Sequence, residues 1–204
     1  MSWNGEHGKE ELLDEEVEAL IEEVKGMFTL EGLKLNPVIR AYRDFYWRIG
    51  IDPTKIRPSS EALLRRLLRG KWPRINPVVD AGNIASARHL VPIGLYDTRF
   101  FEPPATIKLS NGSELFEPIG GKPEVIRKGL PIMVDSKGDV MHLYPHRDSR
   151  KTMIRDDTRC ILVLAAGVPG VEEERLINAV KEVQRLLDKM GWKRCNRIAA
   201  APAE

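Results

Sequence analysis

The sequence predicts a single α/β (α+β-like) domain, on three observations. Helix-spaced apolar residues fill the first third, hairpin-like segments occupy the middle, and an apolar strand followed by a long amphipathic helix closes the chain. No internal repeat or low-complexity linker divides it, and 204 residues suffice to bury a sizeable core. The expected arrangement is a mixed sheet with hairpins, preceded by N-terminal helices.

The elements follow in order. Over residues 10–28, Leu13, Val17, Leu20, Ile21, Val24 and Phe28 recur at threes and fours and mark one helical face. Asn36-Pro37 starts a second helix to about Ile49, with Val38, Tyr42, Phe45 and Trp47 as its bulky residues. Ser59 is expected to cap a third helix whose stripe is Leu63, Leu64, Leu67 and Leu68, with Glu61 near the positive end of its dipole. After a Pro-interrupted segment from Ile75, a short helix is expected from Asp80 to about Ala87. Residues 106–109 and 114–117 read as a hairpin around Asn111-Gly112, and residues 130–135 and 140–144 as a second. The apolar run 159–165 predicts a buried strand. A helix ending at Met190 then buries Leu176, Ile177, Val180, Val183, Leu186 and Leu187. Residues 1–34 read as an acidic helical extension, 35–195 as the domain, and 196–204 as a disordered tail.

The net charge of +2 hides an asymmetry. Residues 1–31 carry ten carboxylates against Lys9 and Lys25, a net −8, so the rest carries +10. A basic body suits a polyphosphate partner through counterion release; solubility and ion pairs between the two parts are the alternative. No window approaches eighteen apolar residues, and the polar start is unlike a signal peptide, so a cytoplasmic protein without a membrane segment is expected. The weight of Lys, Arg and Glu suits a thermophile. Cys160 and Cys195 form no metal-type cluster and read as reduced thiols, with a disulfide between them as the alternative. No motif for a cofactor or metal is present, and His7, His89, His142 and His146 show no ligand spacing, so neither is expected.

Two stretches carry chemistry. Asn76, Asp80 and Asn83 lie within eight positions, and a helix starting near Asp80 sets Asp80 and Asn83 one turn apart. Asp80 then caps the helix, or both face a ligand, for which the Asn83 amide is suited to a ribose, base or α-amino group. The run Arg65-Arg66-Leu67-Leu68-Arg69-Gly70-Lys71-Trp72-Pro73-Arg74 places five cations around an aromatic, as RNA ends require. A solvated helix face with Trp72 in the core is the other reading.

The run 76–83, Asn-Pro-Val-Val-Asp-Ala-Gly-Asn, followed by Pro-Ile-Gly-Leu-Tyr-Asp at 92–97, resembles the signature of the B3/B4 domain, the editing domain of the phenylalanyl-tRNA synthetase beta subunit. The turn at Asn111-Gly112-Ser113, the stretch Arg147-Asp148-Ser149 with Thr152, and Thr158 with Ile161-Leu162 are similar to later parts of that family. Residues 42–53 and 57–63 resemble its stand-alone members, and the whole covers about residues 35–190.

The resemblance implies a three-layer α/β fold and hydrolysis, in trans, of an amino acid wrongly attached to tRNA. The family's pocket asparagine falls on Asn83, its threonine on Gly82 and its histidine on Gly94, while the apolar run 161–165 offers no pocket carboxylate. Groups that would hold a tyrosine hydroxyl are therefore glycine here. Ester hydrolysis needs a positioned water and an oriented carbonyl. The candidate catalytic groups are Asn83, His146, Arg147 and Asp148, with Asn76, Asp80, Ser86, Gly94 and Thr152 lining the substrate site. Arg147 and Asp148 read equally as a surface ion pair. The expected RNA-binding residues are Arg65, Arg66, Arg69, Lys71 and Arg74, and the partners are tRNA or aminoacyl-tRNA, with a small amino-acid ligand possible. Three activities fit: a deacylase, a non-catalytic tRNA- or amino-acid-binding module, and an enzyme acting on an amino acid or its adenylate.

Overall fold

A computed structural model describes residues 1–3, 11–194 and 198–201. Cys195 and most of the expected tail lie outside the described residues, and residues 198–201 carry no regular structure. Cys160 is an exposed free thiol.

Strand β1 (Ser2–Trp3) leads into α1 (Glu11–Met27) and a 3₁₀ turn (Gly32–Leu35). Helix α2 (Pro37–Arg48) starts as its sequence dictates: Pro37 occupies the first turn and the Asn36 side chain accepts from the Val38 and Ile39 N–H groups. In α3 (Ser59–Leu67) the expected cap moves. Pro58 is the capping residue and no side chain caps the helix, because Ser59 has already entered it.

The fourth helix differs most from expectation. Helix α4 (Pro77–His89) begins three residues before Asp80, capped by Asn76, whose Oδ1 accepts from Val79 N–H at 2.9 Å. Asp80 is not the cap. From inside the helix its carboxylate reaches back to accept from Ile75 N–H at 2.9 Å, so Asn76 and Asp80 together satisfy the helix start. Leu90 then turns the chain with φ 61°.

The strands are β2 (Ile93–Asp97), β3 (Thr106–Leu109), β4 (Leu115–Phe116), β5 (Glu124–Val125), β6 (Pro131–Val134), β7 (Val140–Leu143), β8 (Arg147–Asp148) and β9 (Ile161–Ala165). Helix α5 (Glu173–Lys189) and strand β10 (Trp192–Lys193) follow. Pairing is antiparallel throughout the described residues: β2 with β9, β4 with β5, β1 with β10, and β3-β6-β7-β8 as one sheet. The hairpin β6–β7 forms as predicted. The one expected around Asn111-Gly112 does not, since β3 pairs with β6 and β4 with β5. The turn closes instead on the Glu114 carboxylate, which accepts from the N–H groups of Asn111 and Gly112, the latter at φ 96°. Strand β9 is half-buried beyond Ile161 rather than fully buried, because past Ile161, which also bonds Met1, it pairs among the described residues with β2 alone.

The result is an α/β fold in three layers. On one face of the β2–β9 pair, Ile93, Leu95 and Val163 pack into a core built by α1, α3, α4 and α5. On the other face, Tyr96, Leu162 and Leu164 meet Met133 and Met141 of the four-stranded sheet. Helix α1 is integral to the first core, with Leu13, Leu20 and Val24 buried. Its acidic side pairs with the basic body: Glu16 bonds Arg185 and Lys189 at 2.7 Å, and Glu23 meets Arg88 at 3.0 Å. Bonding from Arg185, only partly offset by burial, holds the Glu16 carboxyl down at about 2.

Candidate active site

Strand β7 and the two-residue β8 place His142 directly opposite Asp148. The turn between them is centred on Pro145, so residues equidistant from it in sequence pair across the strands. His142 Nδ1 lies 2.7 Å from Asp148 Oδ1. A neutral imidazole that donates Nδ1–H to a carboxylate keeps a lone pair on Nε2. That Nε2 is buried and makes no hydrogen bond among the described residues. The His142 side chain is 5% exposed and that of Asp148 29%, so the pair opens on the carboxylate side.

An aromatic cage surrounds the imidazole. Tyr96 and Tyr144 stand edge-on to the His142 ring at 6.2 and 5.7 Å, and Phe45 meets Tyr144 at 6.5 Å. Tyr144 donates to the Gly167 carbonyl, and Tyr42 donates to the Ala166 carbonyl at 2.8 Å, tying α2 and the β7–β8 turn to the segment after β9. Among the described residues the buried Tyr96 hydroxyl makes no hydrogen bond of good geometry, with the Asp148 carboxylate its nearby acceptor. Burial, and then the nearby Asp148 carboxylate, push its pKa well up and keep the phenol protonated.

The other expected residues distribute around this pair. The His146 ring meets that of Tyr46 at 5.7 Å, tilted by 60°, and burial, then Arg147 and His142, hold it down at about 4, so it is neutral at physiological pH. Arg147 pairs with Glu124 and lies 5.5 Å from the Phe116 ring centroid. Thr152 is buried, its Oγ1 makes no hydrogen bond among the described residues, and its carbonyl accepts from Asp97 N–H at 2.9 Å. Asp97 itself is fully buried and accepts from Thr158 and Arg99, each at 2.7 Å; these bonds outweigh burial and keep its carboxyl low.

Asn83 does not join the group. Helix α4 packs on the β2 face that carries Ile93 and Leu95, whereas His142 and Asp148 stand with Tyr96 on the opposite face. Asn83 is half-buried, and Ser86 is buried within α4, its Oγ without a hydrogen bond among the described residues. Asn76 and Asp80 line a depression with Leu13, Arg74, Ile75 and Pro77 at the head of the helix.

Both glycines noted in the sequence have their space filled by neighbours. A Cβ on Gly82 would come within 2.7 Å of Leu95 Cδ1. One on Gly94 would fall inside the Tyr96 hydroxyl. The expected RNA-binding residues also divide. Arg65 is held by the fully buried Glu61 at 2.8 Å and by the Leu30 carbonyl, and Arg74 pairs with Asp14 and Asp80. Arg66, Arg69 and Lys71 are exposed and make no side-chain ion pair among the described residues.

Sequence reasoning missed His142 and Tyr96. Taking β7 through to Tyr144 hid the pairing; a turn centred on Pro145 would have set His142 against Asp148.

A family model described as the B3/4 domain matches residues 41–191. Among solved structures, the chain is similar to an N-terminal fragment of the phenylalanyl-tRNA synthetase beta-subunit from Pyrococcus horikoshii, at 18% identity and a TM-score of 0.49. That match covers 58% of this chain and 42% of the fragment, so the chain spans less than half of its length. No curated protein matches.

Proposed function

The chain belongs to the B3/4 domain family, and from that premise we propose that it hydrolyses the ester of a misacylated aminoacyl-tRNA in trans, with His142 as general base. The observation that carries the reading is the His142–Asp148 pair with a free Nε2. Residues 35–195 are the editing-type unit, against which helix α1 packs.

Water that reaches the buried His142 Nε2, on the ring edge away from Asp148, gives it a proton as its oxygen attacks the ester carbonyl. Asp148 holds the imidazole in the required tautomer and stabilises the imidazolium. The Tyr96 hydroxyl, kept protonated, donates to the oxyanion of the tetrahedral intermediate. On collapse, His142 returns the proton to the departing ribose oxygen, leaving free amino acid and uncharged tRNA. The neutral His146, Arg147 and Thr152 border this group, and Asn83 has no part in activating water.

With Tyr96 filling the space beside Gly94, the amino acid accepted differs from tyrosine. The same filling favours a second reading, a binding module for tRNA or an amino acid without turnover. A panel of charged tRNAs separates them. Amino-acid release from at least one, lost in His142→Gln, supports the hydrolase. Binding without release from any supports the module.

A further inference from the structure

We propose that the exposed face of α2 and the end of α3 form a docking surface for single-stranded RNA, with Trp47 as the stacking platform. This deepens the tRNA reading above and rests on it only for the identity of the RNA.

Residues 34–71 contain ten Lys and Arg against Asp44, Asp52 and Glu61, a net +7, where the whole chain carries +2. Only Arg43 and Arg65 are neutralised, both by Glu61. The other eight cations are exposed and make no side-chain hydrogen bond or ion pair among the described residues. Elsewhere Arg74, Arg88, Arg99, Arg147 and Arg185 each pair with a carboxylate, and exposed cations without an ion pair among the described residues, such as Lys122, Lys128 and Lys181, are fewer and lie apart in sequence. Positive charge left unpaired in one segment is a footprint for a polyanion.

The aromatic selects among polyanions. Trp47 is 56% exposed although α2 buries Ile39, Tyr42 and Tyr46 on its other side. Arg40 lies two helical turns before it on the same face, and Arg48 follows it directly. An indole held out among arginines offers a π-face to an unstacked base and charges to the flanking phosphates. A duplex hides its base faces, and an acidic peptide has none.

Glu61 makes the two helices one surface. It is fully buried, 3.0 Å from Arg43 of α2 and 2.8 Å from Arg65 of α3. Trp47 sits one turn beyond Arg43, and Arg69 lies in the turn that follows α3, four residues after Arg65. The clamp therefore fixes the aromatic and the free cations relative to each other.

The test is fluorescence anisotropy of a labelled single-stranded oligoribonucleotide of about ten nucleotides, and of uncharged tRNA, over a salt series. Trp47→Ala, exposed and outside the catalytic group, is expected to weaken binding about ten-fold. The triple variant Arg66→Gln, Arg69→Gln, Lys71→Gln is expected to make the salt slope shallower by about 2. Lys181→Gln, an exposed cation of α5, leaves both unchanged. Affinity within about two-fold of the parent in Trp47→Ala, or an unchanged slope in the triple variant, overturns the surface. Single-turnover deacylation keeps the two proposals apart. If Trp47→Ala loses binding while no charged tRNA is hydrolysed by the parent, the hydrolase reading fails and the surface stands. If the parent hydrolyses and Trp47→Ala shows an unchanged half-saturating concentration, the surface fails and the hydrolase stands.

Discussion

Tyr96 lies back along β2 with its hydroxyl in the space that a side chain on Gly94 would need. The two residues are alternate positions of one strand and share a face, so the strand supplies both the vacancy and what fills it. The phenol there abuts the His142–Asp148 pair, which places a neutral donor beside a candidate base.

Gly94→Ala must therefore displace Tyr96 and is expected to cost about 1–3 kcal/mol. In a Tyr96→Leu background the same substitution should cost less, with a coupling on the order of 1 kcal/mol in a double-mutant cycle by urea unfolding. Equal costs in the two backgrounds would show that Tyr96 does not occupy the space.

His146 makes stability depend on pH. Its folded pKa of about 4 lies below the ordinary 6.5, so between those values the unfolded chain binds more protons. Stability is full above about pH 6.5 and falls as the pH drops towards 4. Between pH 6.5 and 4.5 the loss from this group approaches about 2–3 kcal/mol. His89, lowered mainly by burial, acts in the same direction. His146→Gln should flatten the curve in that window without abolishing it, and an unchanged slope by thermal melts would remove His146 from the account.

Glu61 clamps α2 to α3 from a fully buried position. Glu61→Ala leaves Arg43 and Arg65, both mostly buried, without their counter-charge and is expected to destabilise by about 3–5 kcal/mol. A loss below about 1 kcal/mol in urea unfolding would mean that solvent compensates and that the helices are not held by this pair.

Helix α1 contributes to the main core through Leu20, which is fully buried. Leu20→Ala is expected to cost about 2–5 kcal/mol, as for a central core position. A near-neutral effect would make the acidic helix an appendage to the body.

The helices were legible because their signals are local. Asn36-Pro37 and Asn76-Pro77 cap and start α2 and α4, and the stripe Val183, Leu186, Leu187 packs as its spacing requires. Strand pairing was less legible, because Leu115 finds its partner Val125 across an intervening loop. Nothing near Asn111-Gly112 announces that pairing, and the Glu114 carboxylate closes a turn that looks like a hairpin. Of the family-like residues, Asn76, Asp80 and Asp97 were visible as a pattern, yet each holds backbone or a neighbouring loop in place. The fate of Arg65 was hidden for a related reason. Its partner Glu61 is four residues away, but the burial that draws Arg65 inward comes from the tertiary fold.

The most direct measurement is release of amino acid from a panel of charged tRNAs by the parent protein and by His142→Gln, with tRNA binding followed in parallel. The account predicts hydrolysis of at least one aminoacyl-tRNA, reduced about 100-fold or more in His142→Gln while tRNA affinity is kept. Hydrolysis by His142→Gln at the parent rate, or no hydrolysis of any charged tRNA by the parent, would contradict it.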